Sequence, residues 1–263
     1  MRVWTFLGLI AIYLYLYLAP ILNWFYPTPT RMRSAWYANY FRFINRISLA
    51  MGLPIQVSGA ALDRTIWGLI IANHSSVIDN LVLAHVFQQH NIEWNDVRTV
   101  SRISGKRWQN RILALFDSLL VTKDTRHDIA AWKRVRPKWE AAGPLQVVLY
   151  PEGGVYGRES RLTAEQTGYL GKLGLPRYTN VLFPRNGLFE MLLANMAFQV
   201  YDFTISYCLN GRRLTGEREI LWHLADPDLV IQVGVNRYTK AEAEAPDWLY
   251  RTWAAKDAAV LRY

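Results

Sequence analysis

Short apolar runs alternate with amphipathic segments along residues 52–263, and this alternation constrains the fold more than any other feature. Runs that predict strands lie near 55–57, 65–72, 97–100, 118–122, 145–150, 181–183, 200–208 and 230–235. Segments that predict helices lie at 76–90, 107–116, 128–142, 163–173, 186–196 and 246–262. Strands that alternate with helices predict an α/β domain with a mostly parallel central sheet flanked by helices. In such sheets, binding sites form beyond the carboxyl ends of the strands.

The first 26 residues predict a membrane anchor. Residues 3–22 carry no charge, and as a helix they would extend about 30 Å, enough to cross the hydrocarbon core of a bilayer. Trp24, Phe25 and Tyr26 follow this stretch and are typical of the aromatic belt at a membrane surface. The alternatives are a cleaved signal peptide, whose apolar region is normally shorter, and a buried core helix. A mitochondrial targeting role for the same segment stays open.

Residues 27–51 predict a basic amphipathic helix at the membrane surface. Aromatic and aliphatic residues at helical spacing alternate there with four arginines, Arg31, Arg33, Arg42 and Arg46. An ordinary helix packed on the following domain is the alternative. Positive charges after the apolar span predict that residues 52–263 lie on the cytosolic side of the endoplasmic reticulum membrane, or on the matrix side in a mitochondrion. The net charge of +9 suits an anionic membrane surface, phosphorylated substrates or nucleic acid.

An imidazole and a carboxylate follow the predicted strand at 65–72. His74 lies on the expected turn, and Asp79 lies in the first turn of the expected helix. In that geometry the carboxylate can accept a hydrogen bond from one ring nitrogen and leave the other nitrogen free as a base. The alternative interpretation is structural for both residues. The histidine would make only a local hydrogen bond at the helix start, and the aspartate would be there because the helix dipole favours an acidic residue in the first turn. Ser75 and Ser76, at a helix start, are more typical of caps than of nucleophiles.

A Pro-Glu-Gly turn follows another predicted strand, at 145–150. Because sites form beyond the carboxyl ends of strands, we expect Glu152 and Gly153 of this turn to line the same cleft as His74. A Glu-Gly turn alone is a weak signal, since most such turns lie on the surface.

These blocks resemble the glycerophospholipid acyltransferase family, in which Asn-His-x-x-x-x-Asp precedes Phe-Pro-Glu-Gly-Thr. Residues 73–79 match the first block, and Tyr-Pro-Glu-Gly-Gly at 150–154 is similar to the second. Residues 181–189 are similar to the family's Val-Leu-x-Pro-Arg-x-x-Gly-Phe region. The sequence at 233–238 and the Trp-x-x-Lys-Asp at 253–257 are similar to the branch with lysocardiolipin and lysophosphatidate acyltransferases.

The resemblance implies a membrane-bound O-acyltransferase that esterifies a free glycerol hydroxyl of a lysophospholipid. Acyl-CoA would be the co-substrate, with no tightly bound cofactor and no acyl-enzyme. His74 would act as the general base, and Asp79 would orient it and stabilise the imidazolium. Glu152, Gly153 and Gly154 would help to bind the phosphate-bearing acceptor, because a glycine-rich turn lets backbone amides approach an anion.

Four basic residues are further candidates for contacts with substrate phosphates. Arg102 and Lys106 stand where the family's second block carries basic residues, and Arg185 belongs to the Pro-Arg block. Arg158 is a candidate to compensate for a departure, since Val155 stands where a basic residue is common and a glycine replaces the family's threonine. A solvated basic face and a structural loop are the alternative interpretations.

The altered Glu-Gly-Gly-Val block leaves a second hypothesis open. The chain would then be a non-catalytic relative that binds lipid as a subunit of a larger membrane complex, for example in mitochondria. The retained His74 and Asp79 favour the enzyme.

Other chemistries have little support. Cys208 is the single cysteine, so an intrachain disulfide is excluded, and its apolar surroundings predict a buried thiol. His85 and His90 have the wrong interval for one helical face, which disfavours a metal pair. Neither a Walker-type nor a Rossmann glycine motif is present. No recognisable nucleic-acid module accompanies the 11 tryptophans.

Overall fold

The computed structural model describes Leu7 and residues 52–105, 107–115, 117–122, 124–156 and 164–260. Apart from Leu7, the predicted anchor at 1–26 and the predicted amphipathic helix at 27–51 lie outside these residues, as do Lys106 and Arg158. The helices in the described ranges include none that is long and apolar enough to cross a membrane.

The described residues form an eight-stranded sheet. Its strands are β1 (Ile55–Gly59), β2 (Gly68–Ala72), β3 (Val97–Arg102), β4 (Leu119–Val121), β5 (Gln146–Leu149), β6 (Gln199–Leu209), β7 (Arg212–Arg213) and β8 (Leu229–Tyr238). The order across the sheet is β1-β8-β6-β2-β5-β3-β4, with β7 paired to β6. Only β7 and β8 run antiparallel to a described neighbour, β6. The predicted α/β fold with a mostly parallel sheet is therefore confirmed.

Helices cover both faces of the sheet. They are α1 (Asp79–Gln89), α2 (Arg107–Leu115), α3 (Thr125–Ala142), α4 (Ala164–Lys172), α5 (Asn186–Asn195), α6 (Glu217–His223), α7 (Lys240–Ala243) and α8 (Trp248–Ala259). Leu69 and Ile71 of β2 join one hydrophobic core with Trp253 of α8, whereas Ile70 joins a second core with Phe87 of α1. Side chains alternate between the faces of a strand, so β2 is buried on both sides as a central parallel strand.

One predicted strand, at 181–183, is a loop. Residues 179–181 are bound to α8 and not to a neighbouring strand. Their three backbone N–H groups donate to Oδ1 of Asp257 at 2.6–3.1 Å. Buried backbone donors need partners, and here a carboxylate supplies what a sheet neighbour would otherwise provide. The strand prediction is wrong because an apolar run can also be buried in a loop.

Two short helices, α6 and α7, lie where the sequence pattern predicts none. A capping box starts α7, since Thr239 and Glu242 each accept a backbone hydrogen bond from the other residue. Helix α6 connects the β6–β7 hairpin to β8. Both are too short to show the periodicity of an amphipathic helix.

Candidate active site

The turns that follow β2 and β5 meet at one edge of the sheet. These strands are parallel neighbours, with Ile71 opposite Leu149, so both chains leave the sheet side by side. The backbone N–H of His74 donates to Oε2 of Glu152 at 3.3 Å. Two candidate site residues from distant parts of the sequence therefore lie in direct contact.

Asn73 continues the sheet into the turn that carries His74. Its Oδ1 accepts from the N–H of Ile205 at 2.8 Å, and its Nδ2 donates to the carbonyl of Ile205 at 2.9 Å. The side-chain amide thus takes the place of a backbone peptide beside β6. Asn73 is buried and paired through both polar atoms, so it attaches the start of the turn to β6.

Asp79 is fully buried and accepts four hydrogen bonds. Its Oδ2 lies 2.8 Å from Nδ1 of His74 and accepts the backbone N–H groups of Ser75 and Ser76 at 2.7 and 2.9 Å. Its Oδ1 accepts from the hydroxyl of Tyr207 at 2.6 Å. These donors and the N-terminus of α1 stabilise a negative charge. An ionised carboxylate only accepts hydrogen bonds, so a neutral imidazole carries its proton on Nδ1 and leaves the lone pair of Nε2 free.

The ring of His74 is held in place but remains partly accessible. Its side chain is 16% exposed, and no described residue forms a hydrogen bond with Nε2. The ring of Tyr150 stacks on it with centroids 4.1 Å apart, and the hydroxyl of Tyr150 donates to Oδ1 of Asn80 at 3.1 Å. Burial, and then the charge of Asp79, raises the pKa of Tyr150, which therefore stays a neutral phenol. The imidazole is thus oriented from one nitrogen and one ring face.

Glu152 is buried beneath the turn of His74 and joins it to α8. Its Oε1 accepts from Nε1 of Trp253 at 3.2 Å, so both oxygens of its carboxyl group accept hydrogen bonds from the protein. Burial raises the pKa of Glu152 to about 8, although the bonds from Trp253 and His74 and the charge of Lys256 lower it. The contact of Glu152 with a substrate stays a prediction, whereas its contact with the turn of His74 is present.

A buried ion pair lies behind Glu152. Nζ of Lys256 is 2.5 Å from Oδ1 of Asp202 and donates to the carbonyl of Phe203 at 2.6 Å. The ammonium also lies 4.2 Å from the centre of the Trp253 ring. Loss of either charged partner would leave the other buried without compensation. This pair therefore binds α8 firmly to β6 behind the site.

Gly153 allows a tight turn against which Arg185 packs. Its φ of +65° lies in the left-handed region, and its N–H donates to the carbonyl of Tyr150 at 3.0 Å. The backbone N–H of Arg185 donates to the carbonyl of Pro151 at 2.8 Å. A methyl group on Gly153 would lie 3.6 Å from Cζ of Arg185, so the guanidinium lies over the glycine. The structure thus brings Arg185 to the Pro-Glu-Gly turn.

The remaining predicted binding residues are less closely grouped. Gly154 belongs to the same turn and is half-buried. Arg102 is exposed at the end of β3. Strand β3 is two strands away from β2, so the two strands are separated by about 10 Å at ordinary strand spacing. Arg102 lies at the same edge of the sheet but farther from His74. Lys106 and Arg158 are outside the described residues, so their contacts remain predictions.

Arg213 of β7 is a residue near the site that sequence reasoning missed. Its Nη2 donates to the carbonyl of Asn180 at 2.7 Å, and its Cζ lies 5.8 Å from the ring centre of Tyr156. The N–H of Tyr156 in turn donates to the carbonyl of His74 at 2.7 Å. Burial lowers the pKa of Arg213, although Tyr156 and then Asp257, Cys208 and Glu152 oppose this effect. No motif around Arg213 distinguishes it from other surface-strand arginines.

Tyr207 and Trp253 were also missed as contacts of the site. Tyr207 lies in the apolar run of β6, where a tyrosine is an ordinary core residue. Trp253 had a signal, because it belongs to the C-terminal block that resembles the acyltransferase family. Cys208 is buried, as predicted. The described residues contain no cluster of histidine, cysteine, aspartate and glutamate that could hold a metal ion.

The site thus combines a His-Asp pair with a buried glutamate at the carboxyl edge of a mostly parallel sheet. Residues 54–208, more than half of the chain, match the Acyltransferase family, and the chain belongs to that family. The family assignment made from the motif blocks is therefore confirmed.

Two curated relatives and one solved structure extend the comparison. The chain is 27% identical over 134 residues to 2-acyl-1-lysophosphatidylinositol acyltransferase from Saccharomyces cerevisiae, which covers 46% of this chain and 33% of the yeast protein. It is 23% identical over 237 residues to lysophosphatidylinositol acyltransferase 10 from Caenorhabditis elegans, covering 80% and 56% of the two chains. The matched part of this chain thus spans about a third of the length of the yeast protein and just over half of the length of the Caenorhabditis elegans protein. The crystal structure of the 1-acyl-sn-glycerophosphate acyltransferase PlsC from Thermotoga maritima aligns with a TM-score of 0.48 and 12% identity, over 96% and 93% of the chains.

Proposed function

We propose that this protein transfers an acyl group from acyl-CoA to a free glycerol hydroxyl of a lysophospholipid. The observation that carries the proposal is the His74–Asp79 pair, in which Nδ1 lies 2.8 Å from the carboxylate and no described residue forms a hydrogen bond with Nε2. Membership of the Acyltransferase family supports the reaction type. The names of the two curated relatives support a lysophospholipid as the acceptor.

In the proposed reaction, Nε2 of His74 takes the proton of the acceptor hydroxyl as its oxygen attacks the thioester carbonyl carbon. A C–O bond forms, the C–S bond breaks, and the CoA thiolate receives the proton from the imidazolium. Asp79 stabilises the imidazolium through its charge and does not itself take the proton. The buried hydroxyls of Ser75 and Ser76 need no part in this sequence, because the acceptor attacks directly.

We place the enzyme at a membrane, where its lipid acceptor resides. The uncharged stretch at 3–22 and the basic segment at 27–51 support this location. Arg185, Gly153 and Gly154 are the described residues that we expect to meet the phosphate of the acceptor, because the two glycines lie in the turn beside His74 and Arg185 packs against that turn.

His74→Ala tests the proposal in the purified full-length protein. Acyl-CoA is supplied with lysophosphatidylinositol, lysophosphatidate or lysocardiolipin, and release of CoA is measured. A general base contributes about 10²–10⁴-fold to the rate, so we expect kcat to fall by at least a hundredfold. The matched control is His85→Ala, which removes a histidine of α1 whose side chain contacts Gln89. Equal turnover of the wild type and His74→Ala would remove the proposed role of His74.

The second hypothesis, a non-catalytic lipid-binding subunit, is favoured by one observation, the Gly154-Val155 replacement in the second block. The ordered His74–Asp79 contact supports the enzyme instead. Native mass spectrometry of gently solubilised protein separates the two. A stoichiometric large assembly without turnover on any lysolipid would favour the subunit.

A further inference from the structure

Helix α6 lies at the edge of the sheet that carries the site. β6 runs parallel to β2 and continues beyond it, since the last residue of β2, Ala72, is already opposite Phe203. After β7 and α6 the chain returns in β8, whose Leu229 is opposite Leu209 at the end of β6. Helix α6 therefore connects two strand ends on the side where His74 leaves the sheet.

One face of α6 is attached to the site. The side chain of Glu217 is buried, and its Oε1 accepts from the N–H of Val77 at 3.2 Å, between His74 and Asp79 in the chain. Ile220 is fully buried in the core. These contacts determine which face of α6 points outward.

The outward face of α6 carries an unusual aromatic residue. Trp222 is 84% exposed, more than any other large hydrophobic side chain in the described ranges. Arg218 precedes it by one helical turn and is also exposed, so the two share a face. The neighbouring Arg212 and Glu219 neutralise each other in a 2.7 Å ion pair. A tryptophan with an arginine beside it is typical of a surface that meets the membrane interface.

We propose that α6 contacts the lipid bilayer, with the indole of Trp222 in the interfacial layer and Arg218 among the lipid headgroups. The bilayer is the partner that we expect for this face, because a lysophospholipid acceptor is held in the bilayer by its acyl chain. This inference therefore rests on the proposed function. The chain's net charge of +9 also favours membranes that contain anionic lipid. In this orientation the edge with His74 faces the membrane, and the acceptor reaches the base from the lipid surface.

A fluorescent probe at Trp222 tests the contact directly. Full-length Trp222→Cys is labelled with the polarity-sensitive dye NBD, and the single native cysteine, Cys208, is buried with a thiol pKa raised by that burial. The control site is Ala141→Cys, which is exposed near the end of α3, where the chain returns to the start of β5 at the opposite edge. Vesicles of phosphatidylcholine and phosphatidylserine should shift the emission to the blue at position 222 and leave it unchanged at position 141.

A blue shift at both positions, or at neither, would overturn the inference. So would a shift at position 222 that appears without vesicles and grows with protein concentration, because a second copy of the chain would then cover α6. The probe reports contact without turnover. An inactive wild type whose probe still shifts would therefore refute the proposed function and leave the membrane contact supported.

Trp222→Ala provides a kinetic test. We expect the apparent KM for a lysolipid embedded in vesicles to rise about tenfold, since a large apolar side chain no longer enters the interface. With a short-chain lysolipid in free solution, kcat and KM should match the wild type. A rise in KM for both substrates, or for neither, would contradict a role of α6 in membrane contact.

Discussion

Tyr207→Phe perturbs the His74–Asp79 pair with the least change of shape. The variant removes one hydroxyl from a side chain that is 1% exposed, and Oδ1 of Asp79 loses its 2.6 Å hydrogen bond. A hydrogen bond to a charged group contributes about 1.5–3 kcal/mol. Because Oδ2 keeps its bonds from His74, Ser75 and Ser76, we expect the lower end, a decrease of about 1.5–2 kcal/mol in the free energy of unfolding.

The same variant should slow the reaction without weakening substrate binding. Tyr207 contacts Asp79, which in turn orients His74, so the phenol acts as a positioning group. We expect kcat to fall roughly tenfold, or about 1.4 kcal/mol of transition-state stabilisation, with KM for acyl-CoA unchanged.

Tyr201→Phe is the matched control on the same strand. Tyr201 is fully buried as well, but its hydroxyl accepts from the backbone N–H of Asp63 at 3.1 Å and contacts no residue of the pair. This variant should lose about 0.5–1.5 kcal/mol of stability and keep the wild-type kcat. Urea unfolding of the detergent-solubilised protein and initial rates provide the two measurements. Equal losses of stability and kcat in both variants would refute the special role assigned to Tyr207.

Two further predictions concern buried carboxylates. Burial raises the pKa of Glu152 from 4.5 in the unfolded chain to about 8 in the folded protein. The folded state therefore binds the proton more tightly, and the stability that this proton contributes is lost as the pH rises from 4.5 to about 8. Wild-type stability should therefore decline relative to Glu152→Gln between pH 5 and pH 8, by up to about 1.4 kcal/mol per pH unit; parallel unfolding curves would contradict this. Asp257→Asn should cost about 1–3 kcal/mol in thermal unfolding, because three backbone donors at 179–181 lose a charged acceptor, whereas the exposed Asp228→Asn should change nothing.

The fold and the His74–Asp79 contact could be predicted because both depend on short stretches of sequence. The five residues of β2 are all buried, and such a continuous apolar run is typical of a central parallel strand. His74 and Asp79 are separated by less than two helical turns, so their meeting requires only a strand that ends and a helix that begins. The contact of Glu152 with His74 followed from the shared edge of parallel strands.

The supporting contacts could not be predicted in the same way. Tyr207 meets Asp79 across 128 positions, and Trp253 meets Glu152 across 101. Both contacts depend on β6 and β5 flanking β2, and the alternation of strands and helices does not specify that order. The segment at 181–183 illustrates the same limit, since it is a loop whose Val181 donates to Asp257 of α8, 76 positions away.

The amino-acid sequence by itself determined the α/β class, the edge of the sheet that bears the candidate site and the pairing of an imidazole with a carboxylate. Periodicity, turn residues and helix starts act over a few neighbouring positions, so they can be read along the chain. Tertiary structure alone decided that Asp79 is fully buried with four donors, that Glu152 accepts a hydrogen bond from α8, and that the side chain of Trp222 is exposed on α6. Burial and the pairing of polar groups depend on segments that arrive from elsewhere in the chain, and only packing brings those segments together.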